Sequence, residues 1–148
     1  MQDMEFVIAD QHLKEKIVDE WKTYMPSVGK YIKLENGFTI VAMQGLKPVG
    51  LVAVSYGKLN SSLPPTIEAH IDDIEVLEEY RQNGIGRKLV ELVEKQATRD
   101  GAYQLRSWST NDKKEAIPMW KALGFGLCPV THSMWGPEIT GYFVAKTL

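Results

Sequence analysis

Cysteine is almost missing: Cys128 is the only one in 148 residues. A single thiol excludes an internal disulfide framework and a thiolate-based zinc site. Positive charge is not in excess either, with Lys+Arg 17 against Asp+Glu 19 and a formal net charge of -2. That balance argues against sequence-independent binding of nucleic acid, which needs surplus Lys and Arg. Histidine is scarce and scattered (His12, His70, His132), so no metal site is readable and none is expected. No run approaches the ~18 apolar residues that span a bilayer. The start, Met1-Gln2-Asp3-Met4-Glu5, lacks the basic region and apolar stretch of a secretion signal. A reduced, cytoplasmic setting away from membranes is the expectation.

What remains is an ordinary globular composition, 44% hydrophobic and 24% charged. A chain of this length is expected to form one domain over residues 1–148, burying roughly 68–70% of its unfolded surface. Periodicity predicts the elements. Met4–Ala9 reads as a strand. His12–Tyr24 reads as a helix, because Leu13, Ile17, Val18 and Trp21 recur at helical spacing. Phe38–Met43 and Pro48–Tyr56 form a hairpin around Gln44–Lys47, and Thr66–Leu77 follows as a long strand.

Arg87–Arg99 is an amphipathic helix with Leu89, Val90, Val93 and Ala97 on one face, followed by Gly101. Tyr103–Ser109 is a strand. Asn111 or Asp112 can cap a helix running to Leu123, and Phe125–Cys128 and Tyr142–Ala145 close the chain as strands. Pro118 inside that last helix predicts a kink or a freed carbonyl. The order β-α-β-β-β-α-β-α-β-β implies an α/β (α+β) fold, a mixed sheet covered by helices.

The segment Tyr80-Arg81-Gln82-Asn83-Gly84-Ile85-Gly86-Arg87-Lys88-Leu89 carries the most chemistry. A strand enters a tight loop, and the loop opens a helix. Gly84 and Gly86 permit close backbone approach and positive φ. The first-turn N–H groups, with the positive end of the helix dipole behind them, suit a phosphate. Arg81, Arg87 and Lys88 concentrate positive charge on a chain that is negative overall. A P-loop requires Gly-Lys-Ser/Thr, and the dinucleotide fingerprint requires glycine where Leu89 stands, so both are excluded.

The remaining pattern, Arg-x-x-Gly-x-Gly, resembles the pyrophosphate-binding signature of the GNAT superfamily of acyl-CoA N-acyltransferases. A second landmark resembles that family too: Asn111, then a helix ending in Gly124-Phe125. The element order matches along nearly the whole chain. Ile71-Asp72-Asp73-Ile74-Glu75-Val76 is more loosely similar to the acidic strand of polyamine and streptothricin acetyltransferases. The resemblance implies a central sheet of about seven strands with helices on both faces. It also implies that strands four and five splay apart to admit acetyl-CoA (coenzyme A), the acyl donor.

By the same resemblance, the pyrophosphate rests on the backbone of Gln82, Asn83, Gly84, Ile85, Gly86 and Arg87, with Arg81 opening the motif. The pantetheine arm pairs with the backbone of Val76 and Leu77 and meets Asn111. Each of these residues has a plainer role as well: Val76 packs in the core, and Asn111 is suited to cap a helix. Lys113 and Lys114 suit either a CoA phosphate or solvent.

Transfer to a primary amine needs a base, because an alkyl ammonium with pKa near ~10.4 cannot attack. The candidates lie on one strand: Glu68, His70, Asp72, Asp73 and Glu75. Strict alternation puts His70, Asp72 and Ile74 on one face and Ile71, Asp73 and Glu75 on the other, unless a bulge shifts the parity. Likeness to the polyamine enzymes favours Asp72 as base, and likeness to histone-type members favours His70; Asp73 is the third candidate.

Trp120 stands where many family members carry the Tyr that protonates departing thiolate. Indole N–H donates a hydrogen bond but does not give up its proton. That departure motivates the alternative of a non-catalytic module that binds or senses acyl-CoA. The main expectation is an enzyme moving an acetyl group from acetyl-CoA to an amine of a cationic small molecule or peptide, by direct attack in a ternary complex. Trp21, Tyr24, Tyr56 and Trp108 flank the acceptor side or fill the core, Cys128 reads as a small buried hydrophobe, and a homodimer is compatible with such a sheet.

Overall fold

The computed structural model describes residues 4–59, 66–110, 115–132 and 138–148. Seven strands and three α-helices follow one another: β1 (Met4–Ile8), α1 (Gln11–Glu20), β2 (Gly37–Gln44), β3 (Lys47–Lys58), β4 (Ile67–Val76), α2 (Ile85–Arg99), β5 (Ala102–Thr110), α3 (Ala116–Ala122), β6 (Gly126–His132) and β7 (Ile139–Thr147). They form one mixed sheet in the order β1-β2-β3-β4-β5-β7-β6. Every neighbouring pair is antiparallel except β4 and β5.

Why the sheet carries helices on both faces is legible in β2 and β3. Phe38 through Met43 and Pro48 through Val54 are buried without alternation. A strand buried at successive residues has cover on both sides. On one side α2 contributes Ile85, Leu89, Val90, Val93 and Ala97, all buried. Trp21, just past α1, is buried and donates its indole N–H to the Pro48 carbonyl at 3.2 Å. Pro129 lies in β6, at the sheet edge, where a missing N–H is tolerated.

Strands β6 and β7 run beyond the expected Phe125–Cys128 and Tyr142–Ala145, and three helix ends also differ from expectation. Helix α1 stops at Glu20, and the chain passes through turns to Tyr24. Helix α2 starts two residues early, at Ile85, because Gly84 in the left-handed region (φ 77) forms its N-cap. Helix α3 begins at Ala116 behind Glu115, not behind Asn111 or Asp112, which lie outside the described residues. Pro118 therefore falls in the first helical turn, where its missing N–H would have no intrahelical partner anyway, and no kink is required.

Candidate active site

The site is a gap in the sheet. Pairing of β4 with β5 runs from Ile67↔Ala102 to His70↔Arg106 and stops there. Beyond that point β4 continues to Val76 against β3 alone, and β5 continues to Thr110 against β7 alone. The Ser107 hydroxyl, donating to the Ile71 carbonyl at 3.1 Å, links the strands where they part. A parallel pair that separates leaves main-chain groups for a ligand to satisfy. Leu77 N–H turns toward β3 and bonds the Val49 carbonyl at 2.9 Å. By alternation, Val76 N–H and C=O face the gap. The Val76 carbonyl accepts from Arg81 Nε at 2.9 Å and from the Tyr24 hydroxyl at 3.4 Å.

At one end of the gap lies the glycine loop. Gln82 (φ 63) and Gly84 both hold positive φ, which turns the chain into α2. No side chain caps the helix, and its first internal bond is Lys88 N–H to the Gly84 carbonyl at 3.0 Å. Among the described residues, none accepts from the N–H groups of Gln82 through Arg87. A Cβ on Gly84 would meet nothing within 4 Å, so the outer face of the turn is open. A Cβ on Gly86 would sit 3.8 Å from Met119 Sδ and 4.0 Å from Ile74 Cδ1, on the α3 side of the gap. The side chains brace the turn from behind: Asn83 Nδ2 bonds the carbonyls of Tyr80 and Arg81, each at 3.1 Å, and Gln82 Nε2 reaches Glu115 at 3.3 Å. Arg87 Nε pairs with Glu91 at 3.5 Å.

On β4 a bulge overturns strict alternation. Val54 pairs with Ile71 and Ala53 with Asp73, so Asp72 is the extra residue. Ser55, Ala53 and Leu51 share one face of β3, and their partners His70, Asp73 and Glu75 point with them. The Asp72 carboxylate is drawn to the same face, because its Oδ1 accepts from the Ser55 hydroxyl at 3.0 Å and lies 3.1 Å from His70 Nδ1. Four titratable side chains that alternation would divide thus stand together. Ile74 and Val76 take the opposite face, toward α2.

The neighbouring charges are already matched. Arg106 grips Glu68 with two bonds of 2.6 and 2.7 Å, and Gln104 adds a third at 2.7 Å. Burial pushes the Glu68 pKa up, but the bonds from Arg106 and Gln104 outweigh it and the net shift is downward. Tyr24 joins the acidic face to the glycine loop: its hydroxyl donates to Glu75 Oε2 at 3.1 Å and accepts from Arg81 at 3.0 Å. Burial, then the Glu75 charge, raise the Tyr24 pKa; the hydrogen bond with Tyr24 raises that of Arg81. Across the gap, Trp108 packs on Phe143 (ring centroids 5.1 Å), and Phe143 is half exposed. Register places Trp108 on the same sheet face as Arg106, hence as His70.

Trp120 is buried edge-on against Phe125 at 4.8 Å, and its indole N–H has no acceptor among the described residues. Cys128 is exposed on β6, correcting the expectation of a buried thiol: this edge strand has a neighbour, β7, on one side only. Asn111, Lys113 and Lys114 lie outside the described residues. No metal-binding cluster occurs among the described residues, and none of their helices is long and apolar enough to cross a membrane.

The model of the Acetyltransferase (GNAT) family matches residues 6–125. The chain belongs to that family. It is an N-acetyltransferase domain in fold and sequence, and the activity the family implies is acetyl transfer. No functionally curated protein matches the sequence. Among solved structures it is similar to Arabidopsis thaliana NAA60 in complex with acetyl-CoA, with 14% identity, TM-score 0.81 and coverage of 98% of this chain and 99% of that one. It is also similar to Salmonella typhimurium yncA with acetyl-CoA (15% identity, TM-score 0.72, 99% and 95% coverage). A nourseothricin acetyltransferase matches at 28% identity over 76% of this chain and 66% of that one, with TM-score 0.63.

Two features of this GNAT site were missed by sequence reasoning. Ser55 gave no signal, because its partner lies on another strand and is set by the pairing register. The Arg106–Glu68 clamp had a weak one: an Arg and a Glu on strands expected to be adjacent.

Proposed function

We propose that this protein transfers the acetyl group of acetyl-CoA to a primary amine of a cationic acceptor. Acetyl-CoA is bound in two of the structures with which this chain shares its fold. The open N–H groups of Gln82 through Arg87 suit its diphosphate, and Val76 N–H suits an amide of its pantetheine arm. Arg81 and the Tyr24 hydroxyl give way at the Val76 carbonyl if that oxygen also pairs with the arm.

The observation that carries the acceptor class is the bulged acidic face. Asp72, Asp73 and Glu75 stand beside the gap with His70, while Arg106, the cation paired in register with His70, is neutralised by Glu68. Such a face attracts an ammonium and accepts its proton. The match to a nourseothricin acetyltransferase is in keeping with a cationic acceptor.

In the reaction, the freed amine nitrogen attacks the thioester carbonyl. A C–N bond forms, the C–S bond breaks, CoA leaves as thiolate, and the second proton that the nitrogen sheds as the amide forms passes through water to solvent or to the departed thiolate. The ammonium proton passes to the His70–Asp72 pair, directly or through water. Trp120 cannot supply a proton, so the thiolate leaves unprotonated, as a thiol with pKa about 8–9 allows.

The test is a thiol-release screen over polyamines, aminoglycosides, streptothricins, peptides and amino acids, with calorimetric binding of CoA alongside. Turnover with cationic amines and micromolar CoA binding are expected. CoA binding without turnover across the panel would instead favour the acyl-CoA sensor motivated by Trp120. Absence of CoA binding would overturn both.

A further inference from the structure

We propose that Ser55 is a positioning residue: its hydroxyl anchors the bulged Asp72 carboxylate, which fixes His70 with hydrogen on Nδ1 and leaves Nε2 as the atom that takes the acceptor's proton. The proposal rests on the acetyl-transfer reading above and assigns roles that the choice between Asp72 and His70 left open.

Three observations on separate residues carry it. Asp72 Oδ1 accepts the Ser55 hydroxyl at 3.0 Å and faces His70 Nδ1 at 3.1 Å. An ionised carboxylate is acceptor-only, so the hydrogen between Oδ1 and Nδ1 belongs to the imidazole. A neutral imidazole with hydrogen on Nδ1 has its lone pair on Nε2. Second, the register brings the three together: Ser55 is the direct partner of His70, and Asp72 follows two residues along the same strand. As the extra residue of the bulge, Asp72 has no direct partner on β3, and its carboxylate bonds Ser55, the partner of His70. Third, exposure separates the roles: the His70 side chain is 37% exposed, that of Asp72 21%, and Asp72 Oδ2 is buried without a partner among the described residues. The more accessible group is the imidazole.

Chemistry agrees with this division. An imidazole, with ordinary pKa near ~6.5, is a better acceptor for an ammonium proton than a carboxylate near ~3.9. Glu68 and Arg106 flank His70 from β4 and β5, but they are bonded to each other and leave Asp72 as its partner. The proton moves from ammonium nitrogen to Nε2; Asp72 then balances the imidazolium charge and is not itself protonated. Ser55 touches neither substrate and acts only through Asp72.

The test combines tautomer and rate. Long-range proton–nitrogen NMR of the whole protein separates the two neutral imidazole forms, and His70→Gln identifies the signal among the three histidines. In the wild type, neutral His70 is expected to be protonated on Nδ1. That preference should be lost in Asp72→Ala and in Ser55→Ala, and restored in Ser55→Thr. Turnover is read with acetyl-CoA and a lysine-rich peptide. His70→Gln is expected to lower kcat by about 100-fold or more, and Ser55→Ala by about tenfold, in line with loss of one hydrogen bond to a charged group. Ser55→Thr should recover most of that rate, with the KM for acetyl-CoA unchanged throughout.

A wild-type His70 protonated on Nε2 overturns the proposal, and so does a Ser55→Ala protein that keeps both tautomer and rate. If the peptide is not acetylated, the tautomer spectra alone decide for or against the anchor. Failure of the acetyl-transfer reading shows separately, as loss of CoA binding by the wild type.

Discussion

Exchanging each glycine of the anion loop for alanine separates backbone strain from ligand contact. Gly84 has φ 77 and ψ 9, and a Cβ there meets no atom within 4 Å. The penalty in Gly84→Ala is therefore conformational, about 1–2 kcal/mol for a left-handed alanine. At a chain length near 150, each kcal/mol corresponds to about 2–4 °C in Tm, so a fall of about 2–8 °C is expected. Gly86 lies inside α2, and its Cβ would make only ordinary contacts at 3.8 and 4.0 Å. Alanine there is unstrained and favours the helix by up to about 1 kcal/mol, so Tm should hold or rise. Melts with CoA at about 100 times Kd add the second readout, since binding at that level contributes about 2.7 kcal/mol. The rise with CoA should persist in Gly86→Ala and shrink in Gly84→Ala, whose relaxation turns the N–H groups of Ile85 to Arg87 away from a common point. A Gly84→Ala protein that melts with the wild type, or that gains as much from CoA, would refute the account of the cradle.

Other perturbations follow from the same geometry. Trp120→Phe removes a buried donor that lacks an acceptor while opening a small cavity; the two effects oppose, so equilibrium unfolding should show a loss of about 1 kcal/mol or less, and thiol release should persist, because the indole gives up no proton. Glu68 has a lowered pKa in the folded state, so its contribution to stability is complete above the ordinary glutamate value and is lost as pH falls through the folded one. Urea midpoints from pH 7 to pH 3 should therefore fall more steeply in the wild type than in Glu68→Gln. Trp108→Ala should raise the acceptor KM several-fold and leave CoA binding unchanged in calorimetry, because Trp108 stands on the β5 side of the gap and the anion loop lies beyond β4.

Much of the fold was legible because its signals are local. The apolar run of Phe38–Met43, the apolar stripe of α2 and the spelling of Gly84-Ile85-Gly86 depend on residues close in sequence, and the structure carries a buried strand, a buried helix face and a left-handed Gly84 there. The end of α1 was less legible, since Trp21 and Tyr24 continue a helical pattern yet are recruited elsewhere: Trp21 to the Pro48 carbonyl, Tyr24 to Glu75 and Arg81. Tertiary bonds of that kind outweigh the small propensity that would extend a helix by one turn.

The acidic strand shows the same limit at the site itself. Composition announces carboxylates in Glu68–Glu75, but which of them act together depends on strand parity, and parity depends on one unpaired residue. Without a bulge, Asp72 and Asp73 would face opposite sides of the sheet, and His70 would share its face with Asp72 but not with Asp73 or Glu75. With Asp72 extra, Asp73 and Glu75 join His70 on one face, where Ser55 on the neighbouring strand anchors the Asp72 carboxylate. Nothing in the spelling Ile71-Asp72-Asp73-Ile74 separates the two arrangements, because a bulge is a property of the pairing with β3. Repairing that register, by deleting Asp72, would return Asp73 to the regular alternation and leave His70 without its present partner. Thiol release should then be lost while CoA affinity is kept, since Val76 and the glycine loop retain their own bonds. A deletion variant that still turned over at the wild-type rate would show that the carboxylate face, and not its register, suffices.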